Sequence, residues 1–136
     1  IYRYPSADYH RLKLHLSEES YPAMLTDKDR LFQILCVFMD NAIQHSKNNS
    51  LIEIEVIATE KNIAFSVADH GQGISDEDKH YIFDRFYSGD KSHTNKSNFG
   101  LGLSIAKELT QMLNGTIIIN DTAGGGATFT VKFPLK

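Results

Sequence analysis

Residues 51–69 hold two period-two rows separated by a short polar break, and this pair restricts the possible folds more than any other feature. In LIEIEVIA (51–58), Ile52, Ile54 and Val56 share one face, with Glu53 and Glu55 on the other. In NIAFSVAD (62–69), Ile63, Phe65 and Val67 share a face, and Asp69 is the next residue in that parity. The intervening TEKN is compatible with a hairpin. Such alternation suits a sheet with one packed face and one partly wet face, as antiparallel pairing permits. A carboxylate at the end of a core-facing row is an anomaly that any reading of the chain must explain.

The flanking segments extend this frame. Residues 1–10 (IYRYPSADYH) are polar and irregular, and read as a lead-in. Residues 11–16 (RLKLHL) place Leu12, Leu14 and Leu16 on one face, which predicts a half-buried strand. From about Lys28 to His45 the period becomes helical: Leu31, Ile34, Leu35, Phe38 and Ala42 form one face, widened by Cys36, Met39 and Ile43. Val37, Asn41 and Gln44 form a ridge on the other margin, where the packed face gives way to something open. Ser75-x-x-Asp78 resembles a capping box and predicts a short helix carrying Tyr81, Ile82, Phe83 and Phe86. Residues 87–99 are polar and aperiodic, and read as a mobile loop. A helix is predicted from about Leu101 to Asn114, with Gly115 as its stop, followed by a closing hairpin through TIIIN and ATFTVKF. The order strand, helix, two strands, short helix, loop, helix, two strands predicts an α+β fold. It is an α/β sandwich, a mixed, mainly antiparallel sheet with helices packed on one face.

Composition narrows the function. The 136 residues make one domain's worth of chain. With 14 Lys and Arg against 17 Asp and Glu, the net charge of −3 gives no whole-molecule attraction for nucleic acid or anionic membranes. A bound polyanion must therefore be held by local donors or a metal ion. The single Cys36 excludes a disulfide framework within the chain and a cysteine-rich zinc site.

Three places carry chemistry. Asp69-His70-Gly71-Gln72-Gly73-Ile74 joins the strand end to a loop whose glycines allow positive φ and close backbone approach. A buried Asp69 needs a strong donor or a cation; an amino group on a flat heterocycle satisfies it, and so does an Arg elsewhere in the fold. Gly100-Leu101-Gly102-Leu103-Ser104 opens a helix, where free N–H groups and the dipole favour phosphate, although tight loop–helix packing produces the same pattern. Asn41 can offer its amide oxygen to a hard cation such as Mg²⁺, or can bond backbone at the helix margin.

The order of these segments is more specific than any one of them. DKDRLFQILCVFMDNAIQHS (27–46), DHGQGI (69–74), IFDRFYSGDK (82–91), FGLGLSI (99–105) and GGGATFT (124–130) resemble the N, G1, F, G2 and G3 boxes. Those boxes mark the ATP-binding catalytic domain of bacterial sensor histidine kinases, in the larger Bergerat-fold family that includes gyrase, the Hsp90 chaperone and the mismatch-repair ATPases. The resemblance covers roughly residues 11–135. It implies that Asp69 accepts the adenine amino group, that Asn41 coordinates the Mg²⁺ bridging the ATP phosphates, and that His45 stands where Tyr often faces the adenine or ribose. It further implies that Gly71 and Gly73 shape the base pocket, that Ile74 lines it, and that Thr128 supports the adenine end beside Asp69. By the same resemblance, Gly100, Leu101 and Gly102 would bring N–H groups to the phosphates, Lys91 would reach them from the lid, and Phe83 and Phe86 would anchor that lid.

Three departures from the pattern remove polar or cationic contacts near the phosphates: Val37 where Asn is common, Gln44 where Lys is frequent, and Ser88 where Arg follows the Tyr. The resemblance implies a domain at 11–136 that positions the γ-phosphate for transfer to a histidine carried elsewhere. Residues 1–10 then lead in from an upstream helical domain. The partners implied are the phosphoacceptor and dimerisation helices of a larger, dimeric, membrane-anchored kinase and a downstream response regulator. This domain itself would be cytoplasmic, monomeric in isolation, and without nucleic-acid partners. Two rivals remain at this stage: a free-standing anti-sigma or switch-type serine kinase, and a non-catalytic nucleotide-sensing module.

Overall fold

The computed structural model describes residues 11–16, 21, 26–46, 50–84 and 102–135. In chain order the elements are β1 (Arg11–Leu16), α1 (Lys28–Gln44), β2 (Leu51–Ala58), β3 (Asn62–Ala68), α2 (Asp76–Lys79), α3 (Gly102–Met112), β4 (Thr116–Asp121) and β5 (Ala127–Pro134). One sheet runs β1-β2-β3-β5-β4; β1 is parallel to β2 and every other pairing is antiparallel. The expected mixed sheet with a closing hairpin is therefore what forms. Among the described residues, no helix is long and apolar enough to cross a membrane.

The inner face follows from the periodicities. Ile34, Phe38 and Ala42 of α1 and Leu103 and Ala106 of α3 pack on Ile52, Ile63, Val67, Phe129, Val131 and Phe133. Fully buried phenylalanines such as Phe38 and Phe129 each stabilise the fold by about 1.5–3 kcal/mol relative to exposure. Their rings lie 5.4 Å apart, and Phe83 meets Phe129 edge-on at 6.3 Å. The outer face carries Glu53, Glu55 and a Ser66–Thr130 hydroxyl pair at 2.8 Å, in keeping with the partly wet face expected from the alternation.

Helix ends are set by local chemistry. Asp27 caps α1, its Oδ1 accepting from the N–H groups of Asp29 at 3.0 Å and Arg30 at 3.2 Å. Ser75 caps α2 by accepting from the Asp78 N–H at 3.0 Å. The end of α3 differs from expectation, because Asn114 takes the left-handed conformation at φ 64°. The Gly115 N–H reaches back to Thr110 and the Asn114 N–H to Gln111, the hydrogen-bond pattern of a Schellman stop. Gly115 is small for another reason: a Cβ there would lie 2.6 Å from the Phe133 ring.

Two further expectations are corrected. Leu12, Leu14 and Leu16 are not half-buried but 60%, 60% and 55% exposed. Strand β1 lies at the sheet edge, while α1 packs over β3 and α3 over β4, so the alternation identifies a strand without supplying its cover. Helix α2 ends at Lys79, and Tyr81–Phe83 lie in a turn tightened by bonds from His80 N–H to Glu77 and from Tyr81 N–H to Asp78. Ile82 is nonetheless fully buried. Phe86 and the loop 87–99 lie outside the described residues.

Candidate functional site

Three backbone passages converge at Asp69, the residue that follows β3 and is 2% exposed. Its N–H donates to the Ala127 carbonyl at 2.9 Å, continuing the β3–β5 ladder by one step. Its Oδ1 accepts from the Gly71 N–H at 2.9 Å and the Ala127 N–H at 3.2 Å. Among the described residues, Oδ2 accepts no hydrogen bond and no Arg or Lys pairs with this carboxylate. Two donors thus hold one carboxylate oxygen in place and leave the other without a donor among the described residues.

Close approach makes this geometry possible. A Cβ on Gly71 would overlap the His45 carbonyl at the C-cap of α1, and a Cβ on Gly126 would overlap the Asp69 carbonyl. Gly126 also has φ +117°, a conformation open to glycine and not to L side chains. Gly73, at φ +79°, turns the loop back, and Ile74 packs against the core. The Gly71 approach brings the end of α1 to the Asp69 loop. His45 therefore lies near Asp69, and burial pushes its imidazole pKa below 6.5 while the Asp69 charge opposes the shift.

Further along the same helix margin, Asn41 is 4% exposed and its Oδ1 is a buried acceptor without a hydrogen-bond partner among the described residues. Among the described residues, this oxygen bonds no backbone group. An orphaned buried amide oxygen is costly unless a donor or a hard cation completes it. Val37, one turn earlier, faces the first residue of α3: a Cβ on Gly102 would sit 3.6 Å from Val37 Cγ1, an ordinary contact. The ridge containing Asn41 therefore runs beside the N-terminus of α3.

The structure brings Asp69, Gly71, Gly73, Ile74 and His45 into one locus, with Asn41 and Gly102 on the adjoining α1–α3 margin. Thr128 is a correction. It belongs to the outer row of β5, and its hydroxyl pairs with that of Thr122 at 2.9 Å. Asp69 instead continues the inner row, so strand alternation puts Ala127 in contact with it, through a backbone N–H. Lys91, Gly100, Leu101 and Ser88 lie outside the described residues. The role of Gly126 was not singled out from sequence, although three successive glycines before a strand signal positive φ; Gly124 and Gly125 indeed have φ of +86° and +116°.

With the fold and this locus described, the class follows. The chain belongs to the family of histidine kinase-, DNA gyrase B- and HSP90-like ATPases, which matches residues 26–136, and its relatives lie in the sensor histidine kinase branch. It is 40% identical over 114 residues to the sensor protein CiaH of Streptococcus pneumoniae, covering 83% of this chain and 26% of that protein. The catalytic domain of histidine kinase ThkA, in a nucleotide-free form, superposes with a TM-score of 0.79 at 25% identity, covering 93% of this chain and 80% of that one. Full-length ShkA in complex with AMPPNP gives 0.78 at 28% identity, covering 93% and 26%. The chain thus spans about a quarter of the length of the curated relatives it matches.

Proposed function

We propose that residues 11–136 form a domain that binds Mg-ATP and presents its γ-phosphate to a histidine on a separate dimerisation domain of a membrane-anchored, two-component sensor kinase. The carrying observation is the Asp69 carboxylate, buried and fixed, among the described residues, through Oδ1 alone. A buried carboxylate oxygen in this state suits the exocyclic amino group of adenine, whose N–H donates to Oδ2. Gly71, Gly73 and Ile74 then shape and line the base pocket, and His45, neutral at pH 7, offers an uncharged ring to the adenine or ribose side. The backbone of Ala127 takes the supporting place expected of Thr128.

The donor set also fits a hard cation, since Asn41 Oδ1 lacks any other partner among the described residues. Asn41 would hold Mg²⁺, which supplies charge neutralisation on the triphosphate. Gly100, Leu101 and Gly102 would offer N–H groups at the α3 N-terminus, and Lys91 a cation. Phosphoryl transfer depends on placement and charge stabilisation more than on covalent help from the protein. With −3 net charge, and with Val37 and Gln44 where the resemblance has Asn and Lys, charge stabilisation would fall to the metal, the backbone donors and Lys91.

The test is transfer of the γ-phosphate label from Mg-ATP to the parent's histidine-bearing domain supplied in trans. An acid-labile, base-stable product supports the proposal. Nucleotide binding without transfer would favour a sensing module, and an acid-stable product a serine kinase; either refutes it. A downstream response regulator is the proposed acceptor of the phosphohistidine.

A further inference from the structure

Asp69 has a neighbour that the nucleotide reading leaves unused. His70 belongs to the opposite, outer side of the sheet, and its Nε2 lies 2.9 Å from Glu53 Oε1. The other oxygen of the same carboxylate, Oε2, meets His15 Nε2 at 3.0 Å. One carboxylate on β2 therefore joins the edge strand β1 to the loop that carries Asp69. The His70 backbone is confined from the other side as well, because a Cβ on Gly126 would come within 2.8 Å of its Cα.

We propose that His15, Glu53 and His70 form a positioning clamp that holds the Asp69 loop from the outer face and makes nucleotide affinity depend on the charge carried by the trio. The inference rests on the reading that Asp69 receives the nucleotide base. Glu53 uses both oxygens, so each imidazole donates through Nε2. These two donors hold the Glu53 carboxyl below its ordinary value of 4.5, which keeps it anionic throughout the range in which histidine titrates. Protonating an imidazole turns a neutral donor into a charge-assisted one and strengthens the clamp. The side chains are 38%, 29% and 33% exposed for His15, Glu53 and His70, so protons exchange freely and each pair is modest in strength.

Among the described residues, the surrounding charges are few. By register, Lys13 on β1 lies opposite Glu53, Arg11 opposite Leu51, and Glu55 of β2 opposite His15. The β3 residues facing this side are Ala64, Ser66 and Ala68, and β5 contributes Lys132 beside Ala64. Asp69 follows on the inner side.

The experiment compares the 136-residue chain with its Glu53→Gln and His70→Gln variants. Mg-ATP affinity is measured calorimetrically at pH 6 and pH 8, and amide exchange at Gly71 and Ala127 is followed without nucleotide. The parent should bind more tightly relative to Glu53→Gln at pH 6 than at pH 8, the ratio changing about threefold, as expected for two partly exposed pairs. His70→Gln keeps an uncharged donor toward Glu53, so it should resemble the parent at pH 8 and fall behind at pH 6. Exchange at Gly71 and Ala127 should quicken in Glu53→Gln. Comparing variants cancels the titration of the triphosphate and of His45, which all three chains share. A merely structural role would lower affinity equally at both pH values, and that result overturns the clamp, as does unchanged exchange. If the parent itself binds no nucleotide, the reading of the site fails and the clamp's link to affinity fails with it. Parallel pH profiles in chains that do bind overturn the clamp alone.

Discussion

Asp69→Asn exchanges one carboxylate oxygen for an NH₂ group, and the structure dictates which one. Oδ1 accepts from two backbone N–H groups, of Gly71 at 2.9 Å and Ala127 at 3.2 Å. An amide can satisfy both only by placing its oxygen there, which forces the NH₂ into the position of Oδ2. The adenine amino group then meets a donor where it had an acceptor. The loss is a charge-assisted hydrogen bond, about 1.5–3 kcal/mol, together with a desolvated donor facing another donor, about 1 kcal/mol more. At about 1.4 kcal/mol per tenfold, affinity for Mg-ATP should fall roughly 100- to 1,000-fold. The internal bonds persist, so unfolding free energy should change by less than about 1 kcal/mol. Isothermal titration measures the first quantity and urea unfolding the second. A nucleotide with a carbonyl at the purine 6-position accepts from the new NH₂, so the variant should prefer Mg-ITP to Mg-ATP. Mg-ATP affinity within about threefold of the parent, with the variant folded, would falsify the base assignment.

Other outcomes follow from the same geometry. Gly126→Ala places a Cβ against the Asp69 carbonyl at a φ of +117°; it should cost about 3 kcal/mol in urea unfolding and weaken Mg-ATP binding more than tenfold. Asn41→Ala removes a buried oxygen that has no partner among the described residues, so the nucleotide-free domain should lose no more than about 1 kcal/mol of stability. The same variant should reduce the Mg²⁺ enhancement of ATP binding by at least about tenfold; a Mg²⁺ response equal to the parent's excludes Asn41 as the ligand. The His45 pKa is depressed by burial, so below 6.5 the unfolded chain binds more protons than the folded one and stability falls as pH drops. In urea unfolding, the stability of the parent relative to His45→Gln should fall from pH 7 to pH 5, and a difference that stays constant refutes this assignment. The Glu53 contribution separates from it, being present above pH 4.5 and lost only below that value.

Most of the fold was legible because its signals are local. The 3.6-residue period of Leu31, Ile34, Phe38 and Ala42, the alternation of Ile63, Phe65 and Val67, and the Ser75 cap each depend on residues a turn or a pleat apart. Asp69 was legible for the same reason, as a carboxylate ending an apolar row. What was misread involved neighbours distant in sequence. Leu12, Leu14 and Leu16 alternate as well as any core strand, but their burial depends on whether a helix crosses the β1 edge. Thr128 and Ala127 are adjacent in a glycine-rich box, and only the pairing of Thr128 with Ala68 shows which of them shares a face with Asp69.

By itself the sequence determined the elements, the family resemblance and the presence of a buried acceptor at residue 69. Only the tertiary structure decided that Oδ1 is the oxygen held by backbone, that Gly71 and Gly126 leave space for passing carbonyls, and that one glutamate joins two histidines 55 positions apart, at 15 and 70. The physical reason is that periodicity records which way a side chain points within its own element. Register and packing decide what it meets there.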